Sequence, residues 1–238
     1  ESHNKILYNI CNMSYMWNEF NIKTFPAETI VYRDGMYCPE LSTIKNEPVN
    51  KNYELPVHII YIGEISGDKQ LNIDVGAENQ KVYLTVNIQI KKSAFFNILI
   101  KNAGKNSEIH GRVILDNYDD LKYNCDAQHV YKNTTVLIKT KLIARQKSKS
   151  ILSGNAVINK NCENCVSDIN FSAISEKNTK IEFLPAQKIS SIPLSADHSA
   201  SIYQPTESQI LYLRENGLGI IEIQNVVKEA FINDFDIK

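Results

Sequence analysis

Short runs of alternating apolar and polar residues fill the middle of the chain and predict β-strands. In the clearest run, residues 82–90, apolar residues alternate with Tyr83, Thr85, Asn87 and Gln89. Because successive side chains of a strand point to opposite faces, this alternation predicts a strand with one buried face. Similar runs, separated by short polar turns without an amphipathic helix, occupy residues 57–62, 71–75, 95–100, 108–115, 134–144, 168–174 and 180–184.

A sandwich, a barrel or a β-helix would each fit this series of strands. Sandwiches built from hairpins commonly use tight Asn-Gly or Asp-Gly turns, and residues 56–195 contain neither. Turns rich in Asn suit a β-helix, in which side-chain amides can stack between coils and each coil covers the apolar face of its neighbour. No strict repeat period is visible, so the pattern alone leaves the choice of architecture open.

The two ends of the chain follow different patterns from the middle. Apolar residues recur at helical spacing within residues 1–24 and predict a short helix, while Asp34-Gly35 predicts a hairpin turn. We therefore expect an N-terminal helical and extended segment over residues 1–55, a β core over 56–204 and a helical region over 205–238.

Two helices are predicted after Pro205. Thr206 and Gln209 have the spacing of a capping box, and Gly217 is a typical C-terminal cap for a helix over residues 207–216. A second helix over residues 219–235 has an apolar face. At the end of a stack of strands, these helices would block an open sheet edge or present a docking surface.

Composition narrows the classes of function. The chain has 238 residues and a net charge of −1, from 26 basic and 27 acidic residues, which gives no indication of binding to nucleic acid or to an anionic membrane. Five cysteines, an odd number in a chain large enough to fold without disulfides, favour a reducing compartment. There is no run of apolar residues long enough to cross a membrane, no secretion signal at the N-terminus and no phosphate-binding Walker loop. We expect a cytoplasmic protein that does not itself bind ATP.

The C-terminal block, residues 195–218, resembles the signature of the SufB/SufD family of iron–sulfur cluster assembly proteins. The matching elements are His198-Ser199-Ala200, then Gln209, Leu211-Tyr212-Leu213 and Gly217. Residues 29–42, 55–86 and 129–162 are similar to successive parts of the family, most closely in its SufD form. Ala196 stands where SufD proteins often carry a cysteine.

The resemblance implies a right-handed parallel β-helix with helical ends. It implies a non-catalytic scaffold that pairs with a SufB-like β-helical subunit and docks a SufC-like ATPase through its C-terminal helices. It also implies that the chain binds no cofactor stably by itself, with a transient iron–sulfur cluster possible at the subunit interface, and that it can pair with a second copy when the partner is absent. The docking residues expected on the helices are Tyr212, Leu213, Ile223, Val227 and Phe231.

Few side chains are candidates for chemistry. A neutral imidazole at His198 could ligate iron or assist a nascent cluster, or it could bond to backbone at the junction of strand and helix. Cys162 and Cys165 have a spacing that can hold a metal, but they lack the second pair that zinc or cluster sites need, and two thiols in a turn are the simpler interpretation.

A β-helical carbohydrate enzyme or adhesin is the alternative function. Such enzymes align carboxylates on consecutive coils for acid–base chemistry, whereas here the carboxylate pair Asp119-Asp120 stands alone in a predicted turn. The basic turn of residues 144–150, with Arg145, Lys147 and Lys149, is either solvated or in contact with an acidic partner.

Overall fold

A computed structural model describes residues 28–43 and 56–234. The helix predicted over residues 1–24 and nearly all of the linker predicted over 43–55 lie outside the described residues. The described part contains strands and two helices with these bounds: β1 Glu28–Arg33, β2 Met36–Tyr37, β3 Val57–Val75, β4 Lys81–Asn102, β5 Glu108–Asn117, β6 Asp120–His129, β7 Thr135–Ala144, β8 Lys149–Ile158, β9 Val166–Ser175, β10 Lys180–Ile189, β11 Ser195–Tyr203, α1 Glu207–Glu215 and α2 Ile220–Asn233.

The strands wind into a parallel β-helix of about six turns. The long strand β4 pairs with β5 through its first half and with β6 through its second half, so each coil contributes one strand segment to each of two parallel sheets. Strands β7, β9 and β11 extend the first sheet, and β8 and β10 extend the second. This arrangement confirms the β-helix among the three architectures that the pattern left open.

Alternation along each strand fills the interior. In β8, for example, every second residue from Ser150 to Ile158 is buried and the residues between them are partly exposed. Gly154 leaves room for a neighbouring ring, because a Cβ atom at that position would lie 2.7 Å from Cζ of Phe171. A column of aromatic rings with centroids 5.0 to 6.2 Å apart runs through the coils, formed by Tyr32, Tyr61, Phe96, Tyr123, Phe171 and Phe183.

Asparagine side chains stack at one corner of the coils, as the turn composition predicted. Asn79, Asn106, Asn133 and Asn164 occupy equivalent turn positions, all with positive φ between 55° and 58°. The amides of Asn106, Asn133 and Asn164 each donate a hydrogen bond to the side-chain oxygen of the Asn one coil before, over 3.1 to 3.2 Å. Asn tolerates this left-handed conformation better than most residues, so backbone and side chain favour the same turn.

The hairpin predicted at Asp34-Gly35 joins β1 and β2, which pair antiparallel. Both turn residues have positive φ, 52° for Asp34 and 83° for Gly35. The Asp34 carboxylate accepts a hydrogen bond of 2.7 Å from the backbone N–H of Glu64 and occupies the space that a Cβ atom at Gly63 would need. The hairpin is thereby fixed to the first bend of β3.

The two C-terminal helices, called here the helical arm (residues 207–233), lie along the outer face of the first sheet. The predicted capping box is present: Oγ1 of Thr206 accepts from the backbone N–H of Gln209, and the Gln209 side chain accepts from the N–H of Thr206 at 2.8 Å. Gly217 has a φ of 88°, as its predicted capping position requires.

Three details of the predicted strands were wrong. β3 and β4 are each continuous where two separate strands were predicted, because the strand pairing resumes directly after the corner between the sheets; in β3 this corner contains a register shift between Ile65 and Gly67, and Gly67 has a φ of 64°. Strands β6 and β8 were missed, and Asp120, predicted to lie in a turn, is the first residue of β6. The segment around His198 forms the further strand β11.

Candidate functional site

The last coil of the β-helix is open. Strands β10 and β11 end the order of the paired strands, so among the described residues each has one edge that pairs with no other strand. Within residues 28–43 and 56–234, no further coil covers their inward positions: Ile189 is 42% and Ile202 is 49% exposed. An unpaired strand edge beside exposed apolar side chains is a surface suited to pairing with another chain.

His198 lies on β11 and points into this open coil. It pairs in register with Ile169 of β9, whose side chain is fully buried in the interior. Both ring nitrogens of His198 are buried; neither forms a hydrogen bond of good geometry with the described residues, but backbone groups of Ile169 and Ala186 lie close enough to raise the pKa in part. Burial lowers the pKa of His198 below its usual value, which favours the neutral imidazole, the form that can ligate a metal.

Aspartates occupy the opposite face of the same strands. Asp197 is exposed, points away from His198 and accepts a hydrogen bond of 2.5 Å from the Ser195 hydroxyl. It lies in register with Asp168 of β9. Partial burial, followed by the nearby charge of Asp197, raises the pKa of Asp168. As the alternation of a strand requires, neither carboxylate shares a face with the His198 imidazole.

Cys162 and Cys165 are brought together in the turn before β9, one coil below the open end. Both are buried in a small cluster with Ile158, and Ala196 of β11 packs on that cluster. The Cys165 thiol lies 3.2 Å from the Thr134 hydroxyl and 3.3 Å from the carbonyl oxygen of Tyr131.

The surroundings of Cys162 favour a protonated thiol over a metal-bound thiolate. The Cys162 thiol lies 3.5 Å from the carbonyl oxygen of His129, and burial raises its pKa. Carbonyl oxygens are acceptors, so they stabilise an S–H donor and repel a thiolate. No group of three or more His, Cys, Asp or Glu is placed to hold a metal ion within residues 28–43 and 56–234.

The five residues predicted for docking do not share one surface of the helical arm. Tyr212 is 66% exposed, whereas Leu213, Val227 and Phe231 are partly buried and Ile223 is buried. The sequence pattern grouped all apolar positions of a helix face, and in α2 that face rests on the β-helix. Four large apolar residues outside the predicted docking set are exposed on the arm: Leu211, Ile220, Ile221 and Val226.

The basic turn after β7 is engaged within the chain. Arg145 binds both oxygens of Asp116, at 2.5 and 2.8 Å, and lies 3.4 Å from Glu176. Its guanidinium also lies over the Tyr118 ring, 5.1 Å from the centroid. This cation therefore ties successive coils together, and of the three cations in the turn it is the one least available to a partner.

Residues 66–231 match the family model described as SUF system FeS cluster assembly, SufBD core domain. The match covers more than half of the chain and includes the open coil, His198 and nearly all of the helical arm.

The chain belongs to the SufB/SufD family.

Membership in the SufB/SufD family assigns the chain to iron–sulfur cluster assembly by the SUF system, and it gives no support to a carbohydrate enzyme or an adhesin. The match does not distinguish SufB from SufD. No curated protein matched the sequence. None of the described helices is long and apolar enough to span a membrane.

Proposed function

We propose that this chain is a SufD-like, non-catalytic scaffold of a cytoplasmic SUF complex. In this proposal the open last coil pairs with a SufB-like β-helical subunit, and the helical arm docks a SufC-like ATPase. The single observation that carries the proposal is the open end itself, where an unpaired edge, uncovered apolar side chains and an inward-facing imidazole occur together.

The chemistry of the open end favours a partner with a similar end. The free edges of β10 and β11 present rows of backbone N–H and C=O groups. Another β-strand can form hydrogen bonds with such a row along its length. Ile189 and Ile202 would lose their exposure against the matching interior of a second β-helix. A homologous subunit supplies both features, and a second copy of this chain supplies them when that subunit is missing.

A nascent cluster would form at this interface as cargo of the complex. His198 would face the partner from within the last coil, with a neutral imidazole available to iron. Ala196 offers no thiol on this strand, so the proposal assigns the thiolate ligands to the partner subunit.

The arm carries the proposed site for the ATPase. Leu211, Tyr212, Ile220 and Ile221 are all more than half exposed on the two helices. Exposed apolar side chains on helices are typical of docking surfaces for another protein. Because this chain lacks a phosphate-binding loop, the nucleotide would be bound by the partner.

Co-expression with a SufB-like and a SufC-like protein tests both contacts. We expect the tagged chain to capture both partners. Ile202→Lys should lower SufB-like capture at least about tenfold, because it places a charge in the interface, and Ile221→Glu should do the same for the SufC-like protein. Asn155→Lys, on the outer face of β8, is the matched control and should capture both partners normally. If the unmodified chain captures neither partner, the proposal is wrong.

A further inference from the structure

The helical arm rests on the β-helix with little apolar packing. α1 buries none of its residues, and α2 buries only Ile223. Two grooves run between the arm and the strands, with volumes of about 1020 and 650 Å³. Beyond Ile223, the apolar contacts of the arm are made by partly buried residues such as Phe231, whose ring stacks on that of Tyr203 with centroids 6.5 Å apart. Apolar burial therefore stabilises the docked arm less than it stabilises the filled interior of the coils.

One polar contact holds the end of α2. Lys141 on β7 points outward, is only 6% exposed and donates to the carbonyl oxygens of Phe231 and Asp234, the latter at 2.5 Å. Its ammonium also lies 5.0 Å from the centroid of the Phe231 ring. The last carbonyls of a helix have no partner within the helix and carry its partial negative charge, so a cation at this position stabilises the docked arm.

A second polar contact holds the middle of α2. Lys228 pairs with Glu176 at 2.7 Å, and both side chains are mostly buried. Glu176 also accepts from the backbone N–H of Gln146 at 3.0 Å and from Arg145, which is itself bound to Asp116. The carboxylate is therefore fixed to the coils and would keep its position if the arm moved away.

We propose that the helical arm is a detachable unit, held on the β-helix by a polar latch formed by Lys141, Glu176 and Lys228. Release of the latch frees the arm while the coils stay folded. Pro205 and the residues around it connect the arm to β11 and act as the hinge. This property belongs to the single chain, so it is independent of the proposed partners and is tested without them.

Hydrogen–deuterium exchange of the intact chain tests the latch. Lys141→Gln and Lys228→Gln each remove one charge while keeping a long polar side chain. We expect amides of α2 to exchange about tenfold faster in Lys141→Gln and about threefold faster in Lys228→Gln, with β5 to β9 unchanged. Lys81→Gln, which removes the exposed ion pair of Lys81 with Glu108, is the control and should leave the exchange rates of the α2 amides unchanged.

Salt provides a second measurement on the unmodified protein. Raising sodium chloride from about 50 to about 500 mM should speed exchange in the arm and leave the coils protected, because partly buried ion pairs are still weakened by screening. The proposal is overturned if α2 is unprotected in the unmodified chain. It is also overturned if the amides of the arm and of the coils become exchangeable together, or if neither latch variant speeds exchange of the α2 amides more than the control does. If Lys141→Gln does not fold, Lys228→Gln and the salt series decide.

Discussion

The middle coils and the last coil follow the same strand alternation, but they use their inward residues differently. On β9, Ile169 and Phe171 are buried by the coils on either side, whereas on β11, His198 and Ile202 face an open end. An inward position contributes to stability only when a further coil covers it. The same pattern therefore produces a core in one region and an exposed surface in the other.

The largest expected effect is a core truncation in the middle coils. Phe171→Ala removes a ring that contacts the rings of Tyr123 and Phe183, so it should lower the free energy of unfolding by about 3 to 5 kcal/mol. Ile202→Ala, also inward but on the open coil, should cost less than about 1 kcal/mol because that side chain is half exposed. Urea denaturation of the isolated chain measures both. Equal losses would mean that the last coil is covered.

The second-largest effect is expected from acid, which should lower the free energy of unfolding through a histidine buried in the middle coils. His129 is buried, its Nδ1 lies 2.7 Å from the Thr134 hydroxyl, and burial lowers its pKa to about 4. In the unfolded chain the pKa of His129 is near 6.5. Between about pH 6.5 and pH 4, His129 is therefore protonated in the unfolded chain and neutral in the folded chain. The stability that His129 provides is therefore complete above about pH 6.5 and is lost as the pH falls towards 4, by on the order of 3 kcal/mol.

His129→Asn isolates that contribution. Asn102 occupies the equivalent position one coil earlier and bonds to Ser107, so an Asn should fit the corner. The variant should show a shallower loss of stability between pH 6.5 and 4 in urea titrations. His58, whose pKa burial lowers to about 4, and His198, whose pKa burial also lowers, contribute to the slope that remains. His110→Asn is the surface control. An unchanged slope in His129→Asn would contradict the assignment.

How far the sequence predicts this molecule depends on the strength of the alternation. β4 was recognised because large aliphatic residues alternate with polar ones, and the helix caps and the hairpin were recognised because their turn residues have specific conformational preferences. β6 was missed because its inward residues include Cys125, Ala127 and His129, whose small or polar side chains give a weak apolar signal. The coil closure that buries them depends on residues about 27 positions away in sequence.

The candidate site was predictable in part. His198 was identified by its resemblance to a family signature, but its inward direction depends on the register of β11 with β9, which no local pattern specifies. On the helical arm, periodicity identified an apolar face without specifying what covers it. Ile223 proved to be buried against the chain itself, while Ile221 remains exposed.

A smaller effect is expected at the asparagine stack, which continues along the covered coils. Asn133 has a φ of 56° and hydrogen bonds to the Asn on either side. Asn133→Ala should cost about 1 to 2 kcal/mol, because alanine disfavours this conformation and loses both amide contacts. Asn133→Gly keeps the conformation accessible and should cost less than half as much. Thermal denaturation compares the two, and equal costs would show that the amide contacts, not the backbone, stabilise the turn.

The smallest expected effect on stability lies at the open coil and should have the largest consequence for assembly. His198→Ala removes a partly exposed ring from the last coil, where its nitrogens form no hydrogen bond of good geometry with the described residues, so the free energy of unfolding should change by less than about 0.5 kcal/mol. In the proposed complex, the same variant should sharply reduce cluster build-up, followed by visible absorbance. Asp197→Asn, on the outward face of the same strand, is the matched variant and should retain cluster build-up. If the two variants reduce clusters equally, the imidazole itself is not required. If His198→Ala destabilises the isolated chain by more than about 1.5 kcal/mol, the imidazole stabilises the fold, and the contrast between a stabilising core and a functional open coil fails at this residue.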